Sequence, residues 1–278
     1  MASITDCVVE GLKYPFNDVK KLLGLGVLFA IINLLSMFFA MNTFDMYRVV
    51  IHTIENTTVP ISSLNMSIIP SSNIYVAVGI AIAGLIVGLF ILGYQYNIIG
   101  FSIDKKDELP GFTDVVDIFV KGIKYLIVSV AYNIPAMIVM AASMMFLDNM
   151  GVMSALMVIS FVLLVIGYFL LVMALNNMVA HDSIRKAFDF REIIDNISNL
   201  GWGKYIGTIL FTVIVFMIIN VAVGLVLCLL AVSFAAAIIN QAFAVSIFIG
   251  VIEALFVSSY CAVFFNRVCG SIYRESIK

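Results

Sequence analysis

The chain has 278 residues, of which 63% are hydrophobic and only 12% charged, against about 25% charged in soluble domains. Too little polar surface remains to cover a soluble globule, and a net charge of −2 offers no attraction to nucleic acid. What remains is an all-α integral membrane protein whose first partner is the lipid bilayer.

Six long apolar segments follow one another, at about 22–41, 74–101, 123–147, 151–176, 205–233 and 242–266. Each reaches the roughly 20 residues that a helix needs to cross hydrocarbon. Ahead of the first, Val8, Val9, Leu12 and Phe16 make a weak apolar stripe, and Pro15 ends any helix there. That first segment is too long, and too poorly followed by small residues, for a cleaved signal peptide, so it reads as a retained helix. The stretch from about Asn42 to Asn73 is rich in Ser, Thr, Asn and Pro and reads as an outer loop. Within it Asn56-Thr57-Thr58 and Asn65-Met66-Ser67 fit the N-glycosylation pattern, making Asn56 and Asn65 candidate attachment sites.

Before the third segment, Phe112, Val115, Val116, Phe119 and Ile123 recur at helical spacing, opposite Asp114, Asp117, Lys121 and Lys124. Leu147-Asp148-Asn149-Met150-Gly151 then makes a tight turn into the fourth. Before the fifth, Phe190, Ile193, Ile194 and Ile197 repeat the stripe, and Asp189 with Glu192 resembles a capping box. From Tyr205 to Asn266 the chain holds one charge, Glu253. As a single helix that run is roughly 90 Å long, about three times the hydrocarbon thickness. It must turn back, and Asn240-Gln241 is the place. The fold expected is one domain over residues 1–278: six transmembrane helices as three hairpins, each preceded by a cytoplasmic amphipathic interfacial helix. An inverted repeat of helices one to three with four to six is the alternative arrangement.

Orientation follows from the basic residues. Fourteen of the 15 Lys and Arg fall on the side of the termini, and Arg48 alone falls on the other. The positive-inside rule then puts both termini in the cytoplasm and the 42–73 loop outside the plasma membrane.

Polar groups at membrane depth are the candidates for function. They are Asn33, Gln95, Asn97, Asn133, Asn176, Asn177, Asn220 and Glu253. Asparagines there commonly tie helices together at about 0.6 kcal/mol each. Glu253 with Asn133, Asn97 and Asn220 forms the candidate intramembrane site, and Pro135 is a candidate kink that frees a carbonyl one turn earlier. A carboxylate at mid-depth costs on the order of 3 kcal/mol. No Lys or Arg lies in the spans to pair with Glu253, so an Asn or Ser partner, or a proton or cation, must answer it. His181 and Asp182 are neighbours in sequence and point about 100° apart on a helix, which argues against a base and its orienter. The four cysteines and two histidines are dispersed and assemble no local metal set. No nucleotide, cofactor or hydrolase motif appears, and neither a cofactor nor an enzymatic activity is expected.

The stretch Ala187-Phe188-Asp189-Phe190-Arg191-Glu192-Ile193 after a membrane helix resembles a recurrent element of an archaeal membrane-protein family, domain of unknown function 4013. Gly93-Tyr94 ahead of Leu109-Pro110-Gly111-Phe112, and the tail Arg267-Val268-Cys269-Gly270-Ser271-Ile272-Tyr273, are similar to further family elements. The first loop is longer than that resemblance leads one to expect. The resemblance implies a multi-span helical protein of methanogen-like archaeal membranes, and it carries no activity or catalytic residues. The function expected is a non-enzymatic role in organising or scaffolding the membrane, with a second copy or another membrane protein as partner. A small transporter or channel using Glu253 is the alternative, and a lipid-acting enzyme a distant third.

Overall fold

The computed structural model describes residues 4–56, 69–237 and 242–277. Helix α1 (Ile4–Lys13) ends at a 3₁₀ turn, Tyr14–Asp18, with Pro15 near its start. There follow α2 (Val19–Asn56), α3 (Ser71–Ile103), α4 (Val115–Ser143) and α5 (Met150–His181). The short α6 (Phe190–Leu200) leads to α7 (Trp202–Ala237). Finally α8 (Ala242–Ile252) passes through a π-turn, Glu253–Ser258, into α9 (Ser259–Ser276). Six helical stretches among the described residues are long and apolar enough to cross a membrane. Such lengths follow from the solvent: in hydrocarbon a backbone N–H or C=O finds no water and must be paired within its own segment.

Two boundaries differ from the sequence expectation. Helix α2 runs on to Asn56, well into the stretch read as an outer loop. Residues 42–56 contain neither Gly nor Pro, so polarity alone does not stop the helix. The segment before the third span is also no separate helix. Its residues are the first turns of α4, which is continuous from Val115 and carries Pro135 inside it. Nor is its apolar stripe the buried face: Val115 and Val116 are exposed while Ile118 and Gly122 are buried. The Asn240-Gln241 turn lies outside the described residues.

The helices fall into two units. Unit 1 comprises residues 1–22, 92–221 and 260–278. Its core joins Tyr132, Val172, Met173 and Met178 to Ile193, Ile197 and Tyr205, with Phe264, Val268 and Tyr273. Helices α4 and α5 lie antiparallel: Ser160 Oγ donates to Ala136 O at 2.8 Å, and Gly167 sits beside Tyr132 O. Helix α1 lies on α9, its Gly11 facing Val268 and Phe264. Unit 2 comprises residues 23–91 and 222–259. There α2 and α8 run antiparallel, Gly26 against the Leu255 carbonyl at the π-turn and Asn33 against Gly250.

Close backbone contact needs glycine at one further place. Gly93 of α3 lies on the Ile118 carbonyl and the Gly122 N–H of α4, where a Cβ has no room. Gly79 has open space around it. Thermal melts in detergent should therefore separate two identical changes. Gly93→Ala should lower stability by about 1–3 kcal/mol through overpacking, while Gly79→Ala should be neutral or gain up to about 1 kcal/mol from helix propensity.

Candidate functional site

The four intramembrane candidates each have a local partner. Glu253 belongs to unit 2, and Asn97, Asn133 and Asn220 to unit 1. Within unit 1 each asparagine has its own partner. Asn133 Nδ2 donates to Ser129 O, one turn back on α4. Asn220 Nδ2 donates to Phe216 O and approaches Cys261 Sγ at 3.6 Å. Asn97 Oδ1 accepts from Lys121 Nζ at 2.9 Å, and Lys121 also pairs with Asp117. Asn176 and Asn177 are fully buried; Asn177 donates to Lys186 O and accepts from Tyr273 Oη. Glu253 is half-buried at the start of the π-turn and accepts from Ser258 Oγ at 3.0 Å. The π-turn supplies that pair, because it brings a residue five positions on back over Glu253. Asn56 closes α2, but its side chain and all of Asn65 lie outside the described residues.

A cleft of about 320 Å³ lies between α2 and α3 in unit 2, lined by Ile32, Leu35, Ser36, Phe39, Ile80, Ala81 and Gly84. Its hydroxyl, Ser36 Oγ, donates to Ile32 O, so the cleft presents an apolar wall.

The densest polar construction is one that the sequence did not announce. Arg267 is the first charge after the last apolar run, and its side chain is only 3% exposed. Its Nη2 pairs with Glu10 Oε1 of α1 at 2.7 Å, and its Nη1 donates to Lys106 O just past the end of α3. The guanidinium also lies over the Tyr14 ring at 4.1 Å. One heptad on, Arg274 reaches Glu10 Oε2 with Nη2 at 3.0 Å and donates from Nη1 to Ser102 O. One carboxylate thus joins two arginines, and the arginines cap carbonyls at the C-terminal end of α3, where helices leave acceptors unpaired and partial negative charge gathers. Gly270 between them lets α9 lie against Ser102. The i, i+7 spacing of Arg267 and Arg274 was the readable signal; Glu10, 257 residues from Arg267, was not.

A second knot stands at the end of α5. Asp182 ends α5 in the left-handed conformation, φ 45°, and accepts from Lys124 Nζ at 2.7 Å and Tyr96 Oη at 2.8 Å. The Lys124 hydrogen bond, and then that of Tyr96, hold its carboxyl below the usual range. Asp189 caps α6 as the capping pattern expects, accepting from the Glu192 N–H. Lys186 bridges Asp189 and Glu192. That bridging ammonium depresses the Asp189 carboxyl, and its bonds to Glu192 and Asp189 raise Lys186 above the ordinary lysine value. His181 and Asp182 do not face each other: His181 Nδ1 lies 3.0 Å from Asn177 O. On α6 Ile193 and Ile197 of the stripe read in the sequence are buried together with Asn196 and Leu200, while Phe190 and Ile194 are exposed.

Among the described residues these features define an all-helical protein with six helices long and apolar enough to cross a membrane and with turns held by ion pairs. Residues 76–228, over half of the chain, match the family described as protein of unknown function DUF4013, and the chain belongs to that family. It is 26% identical to the uncharacterized protein MJ1189 of Methanocaldococcus jannaschii over 280 residues, covering 95% of this chain and 94% of that one. No solved structure matches.

Two outcomes follow from these knots. Arg267→Lys keeps the charge but loses the planar fork and the stacking on Tyr14. It should lower the melting point clearly, with Arg267→Ala costing about 3–5 kcal/mol because Glu10 is left without its nearer partner. Asp182→Asn keeps the left-handed turn and removes the charge. It should cost less than about 1 kcal/mol at neutral pH, as exposed pairs do. Because the folded carboxyl is depressed, the wild type should lose this increment as pH falls below the ordinary carboxylate value of about 3.9, while the Asn variant should show no such loss.

Proposed function

We propose that the chain is a non-enzymatic, multi-pass protein of the plasma membrane that organises the bilayer or a partner complex. In this reading both termini face the cytoplasm, the spans form three hairpins in one membrane domain, and α1 and α6 lie along the inner interface. The observation that carries it is the local pairing of the intramembrane polar groups. Asn133 and Asn220 bond to their own helices, Asn97 bonds to Lys121, and Glu253 bonds to Ser258. A pathway for solute needs such groups gathered along a water-accessible route. The apolar cleft of unit 2 suits lipid chains better than a hydrated substrate. The basic asymmetry supports the orientation, and the ion pairs of the inner turns support a stiff body suited to holding partners.

Topology and flux test this together. Ser62→Cys should be labelled from outside intact cells, and Asp107→Cys only after permeabilisation; the reverse pattern would overturn the orientation. In proteoliposomes the protein should pass neither protons nor alkali cations under an imposed gradient, and labelled copies should show energy transfer above random proximity. Protein-dependent flux would replace the scaffold by a transporter or channel.

A further inference from the structure

Unit 2 is poor in basic residues. Across residues 23–91 and 222–259 the sequence holds one Lys or Arg, Arg48. That residue is fifteen positions along α2 from Asn33, about 22 Å by helical rise. Glu253, meanwhile, is half-buried in a helix of apolar neighbours.

The surroundings of Glu253 are rich in oxygen. Gly250, three residues earlier, faces α2, and a Cβ there would stand 2.9 Å from Asn33 Oδ1. Positions three apart on a helix have Cβ atoms about 5–6 Å from each other on one face. The Glu253 carboxylate and the Asn33 amide oxygen therefore share the contact between α2 and α8. Asn33 Oδ1 is buried with no hydrogen-bond partner, an expensive condition for an amide oxygen in apolar surroundings. Further inward, the Leu255 carbonyl lies against Gly26 and accepts from Ser259 Oγ. The hydroxyls of Ser258 and Ser259 are thus committed to Glu253 and Leu255.

We propose that Glu253 and Asn33, beside the close contact of Gly250 with α2, bind one monovalent alkali cation, with sodium the natural occupant. A single positive charge matches the single carboxylate, whereas a divalent ion would leave net charge in an apolar setting. Carboxylate, amide and hydroxyl oxygens are hard donors, and with no thiolate or imidazole beside them they suit an alkali ion over a transition metal. Such an ion would tie α2 to α8 without any transport, so the site stands or falls separately from the scaffold reading.

The test is the melting midpoint of the purified full-length protein in detergent, with sodium chloride replacing choline chloride at fixed ionic strength and alkaline pH. The midpoint should rise with sodium and saturate, as binding to the folded state alone requires. Glu253→Gln should abolish the rise. Gly250→Ala, which crowds Asn33 Oδ1, should weaken apparent sodium affinity by about tenfold, and Asn220→Ala should leave it unchanged. Saturable binding of radioactive sodium to the wild type, displaced by lithium, gives a readout that needs no variant to fold. Absence of saturable sodium binding, an undiminished response in Glu253→Gln, or a midpoint that follows pH but not sodium would each overturn the site, the last assigning Glu253 a proton instead.

Discussion

One carboxylate shared by two guanidinium groups fixes the placement of α1 on α9 within unit 1. Glu10 joins Arg267 and Arg274, and those arginines donate to Lys106 O just past the end of α3 and to Ser102 O in its last turn. Beside this knot α1 packs on α9, where Gly11 meets Val268 and Phe264 and the Leu12 carbonyl accepts from Tyr260. Buried ion pairs add little net stability when replaced whole by apolar groups, yet they are costly to break by halves. That asymmetry makes the knot a device of registry: it admits one placement of α1, α3 and α9, and penalises others. The stacking of Arg267 on Tyr14, whose hydroxyl donates to Glu108 O at 2.7 Å, extends the same registry to the turn after α1.

Between the apolar helices a different physics operates. Lipid tails are as apolar as leucine, so burial alone does not drive helices together, and close approach must. Gly93 of α3 against α4, Gly270 of α9 against α3, and Gly26 and Gly250 along the α2–α8 contact supply it. At the last contact a π-turn, a half-buried carboxylate and an unpartnered amide oxygen occur together. Features that cost stability persist where something compensates them, and a bound cation is the compensation inferred.

The spans were legible because length and apolarity decide them: a run that must pair its own backbone can only be a helix. Their ends were less legible. Polar residues such as Asn42 and Asp45 do not stop a helix, and α2 continues until Asn56. The lead-in to α4 shows a second limit. Its apolar stripe was real, but tertiary contact selected Ile118 and Gly122, which lie on another face. In an apolar solvent a hydrophobic stripe does not by itself mark the buried side. Glu253 stood out as a lone charge, whereas its Ser258 partner depended on a π-turn that no spacing rule anticipates. Arg267 and Arg274 were visible only as markers of orientation, because their shared partner lies at the other end of the chain.

The most direct test of the knot is hydrogen exchange of α1 in nanodiscs, comparing wild type with Glu10→Gln. If Glu10 holds α1 to α9, exchange across residues 4–13 should accelerate by about tenfold or more, equivalent to about 1.4 kcal/mol, while peptides from α5 stay unchanged. Equal protection of α1 in both proteins would contradict the account.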